Sequence, residues 1–355
     1  MGSQLPISGI SVKRAARRAA GRSRLKPVLL CLPEHWPLVA QTPSSPSPCA
    51  LVPCEPARFS NGELYLRLPA PVADRVCGVL GSLAPPDEQA LSVLLLAHTL
   101  RREGAKRVVA VLPYLGYARQ DRADPGESLG IAWMGELLRA VGVDRVLTVD
   151  VHSRQAAACL PMPLDSLSPA RLFAEVLANS GRQPVSLVAP DEGALERCEA
   201  VRRAAGFDTP LAYLRKQRVA GGVTHGALVG RVLRRVAIVD DILDTGGTLL
   251  SACAELRRAG AREVVVFATH GLFTGERWRE LPALGVQRIY TTDSVPRARQ
   301  RGGEIVEVLP AGRMIVSAFA AIAERERTGL VAATSAPAEV ERIEGPAPTE
   351  DSSVP

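Results

Sequence analysis

An acidic pair and a glycine-rich turn follow a predicted strand near residue 240. The apolar run 236–239 ends in Asp240 and Asp241. The turn, called the phosphate turn below, comprises Asp244, Thr245, Gly246, Gly247 and Thr248. Glycines let backbone N–H groups converge on an anion, a following helix start adds partial positive charge, and threonine hydroxyls donate further hydrogen bonds. The segment therefore predicts a phosphate-binding site.

The two acids separate this turn from the common nucleotide-binding loops. It lacks the Gly-Lys-Ser/Thr of a Walker A loop and the G-x-G-x-x-G spacing of a dinucleotide fingerprint. Carboxylates repel a phosphate but accept hydrogen bonds from sugar hydroxyls. We therefore expect a sugar phosphate as the ligand. The alternative is a capped helix after an ordinary turn.

Two further residues follow predicted strands, where open parallel sheets bind ligands. His152 ends the apolar run 146–151, and Asp191 follows the run 185–189. A single histidine is more often structural than a metal ligand, so neither residue is decisive alone.

Two other segments combine side chains suited to nucleotide chemistry. Phe59, Asn61 and Glu63 offer the ring, amide and carboxylate that a base needs, although the segment also fits a turn at a strand end. Lys216 and Arg218 precede the glycine-rich stretch 221–226. That stretch predicts a mobile lid, and ordinary surface charge is the alternative.

The elements that must position these residues alternate regularly. From about residue 28 to 312, short β-branched strands alternate with amphipathic helices, which predicts an α/β protein with parallel sheets. One pattern occurs three times, in which a predicted helix ends at a glycine and a Val-rich strand follows. The three glycines are Gly104, Gly142 and Gly260. The expected organisation is a basic flexible leader at 1–27, an N-terminal α/β domain at 28–164, a C-terminal α/β domain at 165–312, a helix at 313–327 and a disordered tail at 328–355.

Composition excludes several classes of protein. The net charge of +6 over 355 residues depends on seven cations in the first 26 residues, and the remainder carries −1. We therefore expect no nucleic-acid partner. The longest apolar stretch, 90–100, is too short to span a membrane. Seven cysteines without a C-x-x-C pair favour a reducing, cytoplasmic location, with an organelle transit peptide as the alternative.

Several passages resemble one enzyme family. The segment VDDILDTGGT resembles the phosphoribosyl-diphosphate binding motif of the phosphoribosyltransferase superfamily. Further passages make the chain similar to the ribose-phosphate diphosphokinases, also called phosphoribosyl diphosphate synthetases. These passages are FSNGELYLRL (59–68), YARQDR (117–122), GVDRVLTVDVHS (142–153), VAPDEGALER (188–197), RKQR (215–218) and THGLFTG (269–275).

The resemblance implies a fold, a reaction and an assembly. The fold is two phosphoribosyltransferase-like domains, each with a mostly parallel sheet flanked by helices. The reaction is the Mg²⁺-dependent transfer of diphosphate from ATP to the C1 hydroxyl of ribose 5-phosphate, which gives 5-phosphoribosyl 1-diphosphate and AMP for nucleotide biosynthesis. The family suggests a homo-oligomer, specifically a hexamer.

The resemblance also implies roles for individual residues. Lys216 and Arg218 are the implied catalytic residues, and His152 and Asp191 the implied Mg²⁺ residues. The implied ATP-binding residues are Phe59, Asn61 and Glu63, which reach across a subunit boundary, with Arg119, Gln120, Asp121 and His152. The implied residues for ribose 5-phosphate are Asp191, Asp240, Asp241, Asp244, Thr245, Gly246, Gly247 and Thr248.

The chain departs from the family pattern in its loops. The loop 123–130 carries Asp124 and Glu127 and no arginine, where family members are basic. A divergent diphosphokinase acting on another sugar phosphate or nucleotide therefore remains an alternative. A phosphoribosyltransferase and a non-catalytic regulatory homologue also remain, although the first would not require two domains and the second would be expected to lose Lys216, Arg218 or the acids.

Overall fold

A computed structural model describes most of the chain. It covers residues 25–40, 42, 48–180, 185–209, 211–219, 222–328 and 340–343. The basic leader expected at 1–27 lies outside these residues except for its last three positions. The disordered tail expected at 328–355 also lies outside them, apart from Thr328 and residues 340–343.

Strands and helices alternate as the sequence predicts. The strands are β1 (Val28–Cys31), β2 (Ala50–Pro53), β3 (Ala57–Arg58), β4 (Leu64–Tyr65), β5 (Val76–Leu80), β6 (Arg107–Leu112), β7 (Arg145–Val149), β8 (Leu164–Leu167), β9 (Ser186–Ala189), β10 (Leu211–Val219), β11 (Gly222–Val229), β12 (Arg235–Leu243), β13 (Glu263–Gly271), β14 (Val286–Thr292), β15 (Val306–Leu309) and β16 (Val340–Ile343). The α-helices are α1 (Trp36–Ala40), α2 (Glu88–Arg102), α3 (Gly130–Ala140), α4 (Arg154–Ala158), α5 (Ala170–Asn179), α6 (Leu195–Ala205), α7 (Gly247–Arg258), α8 (Pro296–Arg301) and α9 (Gly312–Thr328). Short 3₁₀ helices are Pro33–His35, Glu192–Ala194 and Arg277–Leu284.

The first sheet has the strand order β16-β8-β7-β6-β5-β1-β2 within the described residues. Its strands pair in parallel except β16, which is antiparallel to β8. Residues that alternate along the strands face two separate cores, as Leu29 and Leu30 show. One core is completed by α2 and α3, and the other by α9, whose Phe319 is fully buried. We call this sheet with its helices the first unit.

The second sheet has the order β11-β10-β9-β12-β13-β14-β15 within the described residues. Its strands are parallel except for the β10–β11 hairpin. Helices α5 and α6 cover one face, where Phe173 packs beside Phe267. Helix α7 and the 3₁₀ helix Arg277–Leu284 cover the other face. We call this sheet with its helices the second unit.

The expected fold class is confirmed, but the chain crosses between the units differently from the expectation. Strand β8 completes the first sheet, because Leu164 pairs with Val146 of β7, so the first unit extends past residue 164. Helix α9 follows the second unit and returns to the first. The second unit is therefore inserted between β8 and α9.

The short strand β16, which the sequence did not predict, joins the edge of the first sheet. Its neighbour β8 carries Asp165, a fully buried carboxylate. Arg145 donates to Asp165 across 3.0 Å, and the guanidinium groups of Arg325 and Arg342 each lie 3.7 Å away. The carboxylate thus links β7, α9 and β16 to β8, which compensates for its burial.

No helix among the described residues is both long and apolar enough to cross a bilayer.

Candidate functional site

The acidic pair lies where β12 meets the cleft between the units. The sequence predicted an apolar strand over 236–239 that ends in Asp240 and Asp241, and β12 continues past both acids to Leu243 because it stays paired with β13, with Leu243 opposite Gly271. Asp240 and Asp241 are therefore held on a strand rather than in a loop. This fixes their backbone before any ligand arrives.

The phosphate turn connects this strand to α7. Gly246 caps the helix in the left-handed region, with φ +88°. A Cβ on Gly246 would lie 2.7 Å from the Cα of Trp278 and 3.0 Å from its Cβ. Only glycine meets both conditions. The first N–H groups of α7 are thus presented beside a turn that a larger residue would distort, as a phosphate-binding site requires.

Asp241 faces His152 across the cleft. The His152 Nδ1 donates to Asp241 Oδ2 at 2.6 Å, and the Asp241 side chain is only 8% exposed. Burial raises the pKa of Asp241, but the hydrogen bond from His152 and the charge of nearby Arg197 outweigh it and lower the pKa below the ordinary value. Asp241 is therefore ionised and ready to accept hydrogen bonds.

Asp240 has the opposite electrostatics. Burial and then the adjacent charge of Asp241 raise its pKa well above the ordinary value. Asp191 adds a third negative charge close enough to raise it further. The two members of the acidic pair therefore differ, and Asp240 needs a hydrogen-bond donor or a cation to ionise fully.

Arg197 of the second unit contacts residues of the first unit close to this acidic pair. Its Nε donates to Asp150 Oδ1 at 2.7 Å, and its Nη2 donates to the carbonyl oxygens of Val151 at 3.0 Å and His152 at 2.9 Å. The same guanidinium lies 3.6 Å from Asp241. Burial lowers the pKa of Arg197, but the charges of Asp150 and Asp241 raise it by more. The net pKa lies above the ordinary value, so the guanidinium stays charged.

Sequence reasoning did not single out Arg197 or Asp150, although both lie in segments that carried the resemblance. Asp150 follows β7 with φ +44° and also accepts from Thr269 at 2.5 Å. A signal was available, because an arginine on an apolar helix face predicts a buried ion pair.

Arg119 provides a second link across the cleft. Its guanidinium lies 2.7 Å from Asp244 of the phosphate turn, with the side chains 52% and 26% exposed. The predicted ATP side and the predicted sugar-phosphate side thus meet directly.

Gln120 and Asp121 contact their own unit. Gln120 Oε1 accepts from Ser128 at 3.3 Å. Asp121 accepts from Ser153 at 2.5 Å, and Ser153 also caps α4 through the N–H of Ala156. Both contacts support the loop that carries Arg119 and the strand end that carries His152.

Phe59, Asn61 and Glu63 lie on a small exposed hairpin formed by β3 and β4, called the aromatic hairpin below. Phe59 is 55% exposed and stacks on Tyr65, with ring centroids 4.5 Å apart. Asn61 accepts from the backbone N–H of Glu63 at 3.2 Å. Within the described residues, no hydrogen bond or ion pair joins the aromatic hairpin to Arg119.

Lys216 and Arg218 lie on the β10–β11 hairpin. The backbone of Lys216 pairs with His225 and that of Arg218 with Val223, after an irregularity between Leu214 and Lys216. The expected lid at 221–226 lies in β11 apart from residue 221, which is outside the described residues.

His152, which contacts Asp241, also lines a cavity. The cavity has a volume of about 580 Å³ and is lined by both units, including Ser153, Arg154 and Glu196. None of residues 240–248 lines it. A ligand that contacts His152 thus has room on the side away from Asp241.

The carboxyl groups near Asp240 are of the type that binds Mg²⁺, but they do not form a complete set of metal ligands. Among the described residues, no group of three or more His, Cys, Asp or Glu side chains is arranged to hold a metal ion. Mg²⁺ commonly takes one or two carboxylates and completes its shell with water and substrate phosphates. Asp191 and Asp240 supply such carboxylates, so these residues fit the ion together with a phosphorylated substrate.

Comparisons with known proteins place these features in context. The family model for the N-terminal domain of ribose phosphate pyrophosphokinase matches residues 34–142. The family model for the phosphoribosyl transferase domain matches residues 168–280. The chain is 34% identical over 278 residues to the ribose-phosphate pyrophosphokinase of Haemophilus influenzae, covering 76% of this chain and 88% of that protein. It is 32% identical over 273 residues to the enzyme of that name from Corynebacterium efficiens, covering 75% and 83%.

A solved structure extends the similarity to three dimensions. Phosphoribosylpyrophosphate synthetase from Mycobacterium smegmatis matches with a TM-score of 0.71 and 28% identity. The match covers 84% of this chain and 99% of that one. Both units and the cleft between them therefore belong to one shared architecture.

Proposed function

Because the chain belongs to the ribose-phosphate pyrophosphokinase family, we propose that it transfers diphosphate from ATP to ribose 5-phosphate. The oxygen of the C1 hydroxyl forms a bond to the β-phosphorus of ATP, and the bond from that phosphorus to the bridging α,β-oxygen breaks. AMP leaves with that oxygen, and the hydroxyl proton is released. The products are 5-phosphoribosyl 1-diphosphate and AMP.

The observation that carries the proposal is the contact between the acidic pair and His152. Asp241, on the sugar-phosphate side, accepts from His152, on the opposite unit, at 2.6 Å. A phosphate turn in a single domain would suffice to bind a sugar phosphate. A second unit that meets it at a histidine favours a reaction between two bound substrates.

On the sugar side, binding follows from the residues of β12 and the phosphate turn. Asp240 and Asp241 accept hydrogen bonds from the ribose hydroxyls. The backbone N–H groups of Gly246, Gly247 and Thr248, with the hydroxyls of Thr245 and Thr248, hold the 5-phosphate. Asp244 orients the turn through Arg119, and Asp191 lies near the ribose.

On the ATP side, we propose that the aromatic hairpin binds the adenine through Phe59, Asn61 and Glu63. The exposure of Phe59 supports this role, because an aromatic ring that is more than half exposed offers a stacking face to a base. Arg119, Gln120, Asp121 and His152 bind the rest of ATP. Since no hydrogen bond or ion pair joins the hairpin to Arg119 within the part of the chain that the structure describes, we propose that the hairpin serves a neighbouring subunit in a homo-oligomer, with the family's hexamer as the expected form.

Lys216 and Arg218 are the proposed catalytic residues. Two cations on a hairpin at the end of the second sheet can pair with oxygens that gain charge as the diphosphate transfers. Little covalent chemistry is required of the protein, so positioning and charge stabilisation account for most of the acceleration.

A bound Mg²⁺ would neutralise the charge of the ATP phosphates. Asp191 is the proposed direct ligand, and His152 acts beside it or on ATP. We propose that Asp240 supports the same site, because burial and the charge of Asp241 raise its pKa and a nearby cation would favour its ionised form. We further propose a cytoplasmic location, supported by seven cysteines that form no disulfide, of which all but Cys159 are buried.

The proposal is tested by measuring AMP formation from ATP and Mg²⁺ with and without ribose 5-phosphate. We expect AMP only when ribose 5-phosphate is present. Lys216→Ala should lower kcat by about 100-fold or more, whereas Lys26→Ala, which removes an exposed lysine elsewhere, should retain wild-type rates. Absence of AMP from the wild-type enzyme, across inorganic phosphate concentrations, would exclude ribose 5-phosphate as the acceptor.

A further inference from the structure

Carboxyl groups are concentrated next to the phosphate turn, and Arg119 and Arg197 already pair with two of them. Asp240, Asp241 and Asp244 all lie within nine residues, and this segment contains no lysine or arginine. Arg119 pairs with Asp244, and Arg197 lies 3.6 Å from Asp241. These cations are therefore already used by carboxylates. A sugar 5-phosphate, which carries nearly two negative charges at neutral pH, would bind beside them more tightly if another cation were available.

Arg277 lies where such a cation is needed. Its Nη1 is 3.7 Å from the point that a Cβ on Gly247 would occupy, so the guanidinium stands over the start of α7. The residue is exposed, and the described residues provide it with no ion pair or side-chain hydrogen bond. Neighbouring Arg279 differs, because it pairs with Glu276 and lies 4.9 Å over the ring of Trp278.

The backbone of Arg277 is fixed relative to the phosphate turn. The next residue, Trp278, is 3% exposed and donates from Nε1 to the carbonyl oxygen of Gly275 at 3.2 Å. Its ring packs edge-on against Phe273 with centroids 4.9 Å apart. Trp278 is also the residue against which Gly246 packs. The tight contact that requires glycine at position 246 therefore also places Arg277 at the mouth of the turn.

We propose that Arg277 is a further substrate-binding residue, which pairs with the 5-phosphate of the sugar substrate. This inference rests on the proposed function, because it concerns the same substrate. The guanidinium supplies hydrogen-bond donors and a permanent charge, whereas the turn supplies backbone N–H groups and hydroxyls. Arg277 thus makes the site select a phosphorylated sugar over its unphosphorylated form more strongly than the turn alone.

The test measures ribose 5-phosphate binding by calorimetry, and KM for each substrate by AMP formation, in the full-length chain. Arg277→Gln should weaken ribose 5-phosphate binding and raise its KM by about 10- to 100-fold. KM for ATP should change less than about twofold and kcat less than about threefold, because the residue contacts neither ATP nor the reacting atoms. Arg277→Lys should restore part of the loss.

Arg258→Gln is the matched control. Arg258 is an exposed arginine at the far end of α7, about 16 Å along the helix axis from the phosphate turn. It should match wild type in every measurement. Higher salt should also weaken ribose 5-phosphate binding more in wild type than in Arg277→Gln, because an exposed cation is screened.

The outcomes separate this inference from the proposed function. If wild type forms AMP and Arg277→Gln binds ribose 5-phosphate as tightly as wild type, the Arg277 assignment is wrong and the proposed function stands. If Arg277→Gln raises both KM values equally and lowers the thermal midpoint, Arg277 is structural and the assignment is again wrong. If wild type neither binds ribose 5-phosphate nor forms AMP with it, both statements fail.

Discussion

The phosphate turn and the aromatic hairpin prepare for their ligands in different ways. The turn is continuous with a central strand, and its Gly246 packs against the backbone of a buried tryptophan. The hairpin consists of two-residue strands, and its Phe59 is more than half exposed. One side of the proposed reaction is therefore built into the core, and the other stands on the surface. The difference teaches that preorganisation follows the degree of packing rather than the number of polar groups.

The largest expected effect on kcat/KM is a difference between two Gly→Ala substitutions, one in the phosphate turn and one in the aromatic hairpin. Gly246 and Gly62 have nearly equal φ angles of +88° and +92°, but a Cβ on Gly62 would meet nothing within 4 Å. Gly246→Ala should lower kcat/KM for ribose 5-phosphate by more than about 100-fold, because the turn must move away from Trp278. Gly62→Ala should lower kcat/KM for either substrate by less than about tenfold.

Steady-state kinetics with each substrate varied in turn would check this pair of variants. Equal losses in both would show that backbone strain alone, rather than packing, distinguishes the two regions.

Acid should reveal a second large effect at the border between the units. His35 of the first unit is fully buried, and burial lowers its pKa from 6.5 to about 4. The unfolded chain therefore binds more protons between these pH values, so stability is complete above pH 6.5 and declines as the pH falls toward 4. The loss attributable to His35 is at most about 3 kcal/mol.

The slope of unfolding free energy against pH measures this contribution. His35→Gln should flatten the slope, whatever it does to stability at neutral pH, and the exposed His98→Gln should leave the slope unchanged. A slope that persists in His35→Gln would assign the acid sensitivity to another group.

A moderate effect is expected at the aromatic hairpin. Phe59→Ala should raise KM for ATP by about tenfold, because base stacking on an aromatic ring contributes about 1–3 kcal/mol. Stability should change by less than about 0.5 kcal/mol, since the ring is largely exposed. Leu91→Ala is the control, because Leu91 is also 55% exposed but lies on α2. An unchanged KM for ATP in Phe59→Ala would remove the hairpin from the ATP site.

The smallest effect concerns the direct link between the two sides. A double-mutant cycle with Arg119→Gln and Asp244→Asn should give a coupling free energy below about 1 kcal/mol in unfolding, because both groups are partly exposed and screened. A coupling of several kcal/mol would mean that the phosphate turn depends on the ATP side for its shape. The regions would then be less different than their packing indicates.

The sequence predicted the features that are local along the chain. The strand, acids, turn and helix around Asp240 are contiguous, and each residue type has a conformational reason for its place. The glycines at 104, 142 and 260 have positive φ and precede strands, as predicted. The α/β class follows from the hydrophobic periodicity of the sequence, which can be identified without knowledge of tertiary contacts.

Features that depend on distant contacts were not predictable. Arg197 is 47 residues from Asp150 and 45 from His152, and Arg119 is 125 residues from Asp244. Strand β16 is only four residues long, and its pairing with β8 has no local pattern. The amphipathic pattern of α9 predicts a helix but not which of two sheets it covers. Each depends on which surfaces meet after folding.

The insertion of the second unit between β8 and α9 determines how the molecule would respond to mechanical force. Residues 28 and 343 both lie in the first sheet, β1 in its interior and β16 at its edge. Tension applied between these residues would act first on β16 and then on α9, the helix that precedes β16 in the sequence. The second sheet and the phosphate turn would carry load only after the first unit had begun to come apart.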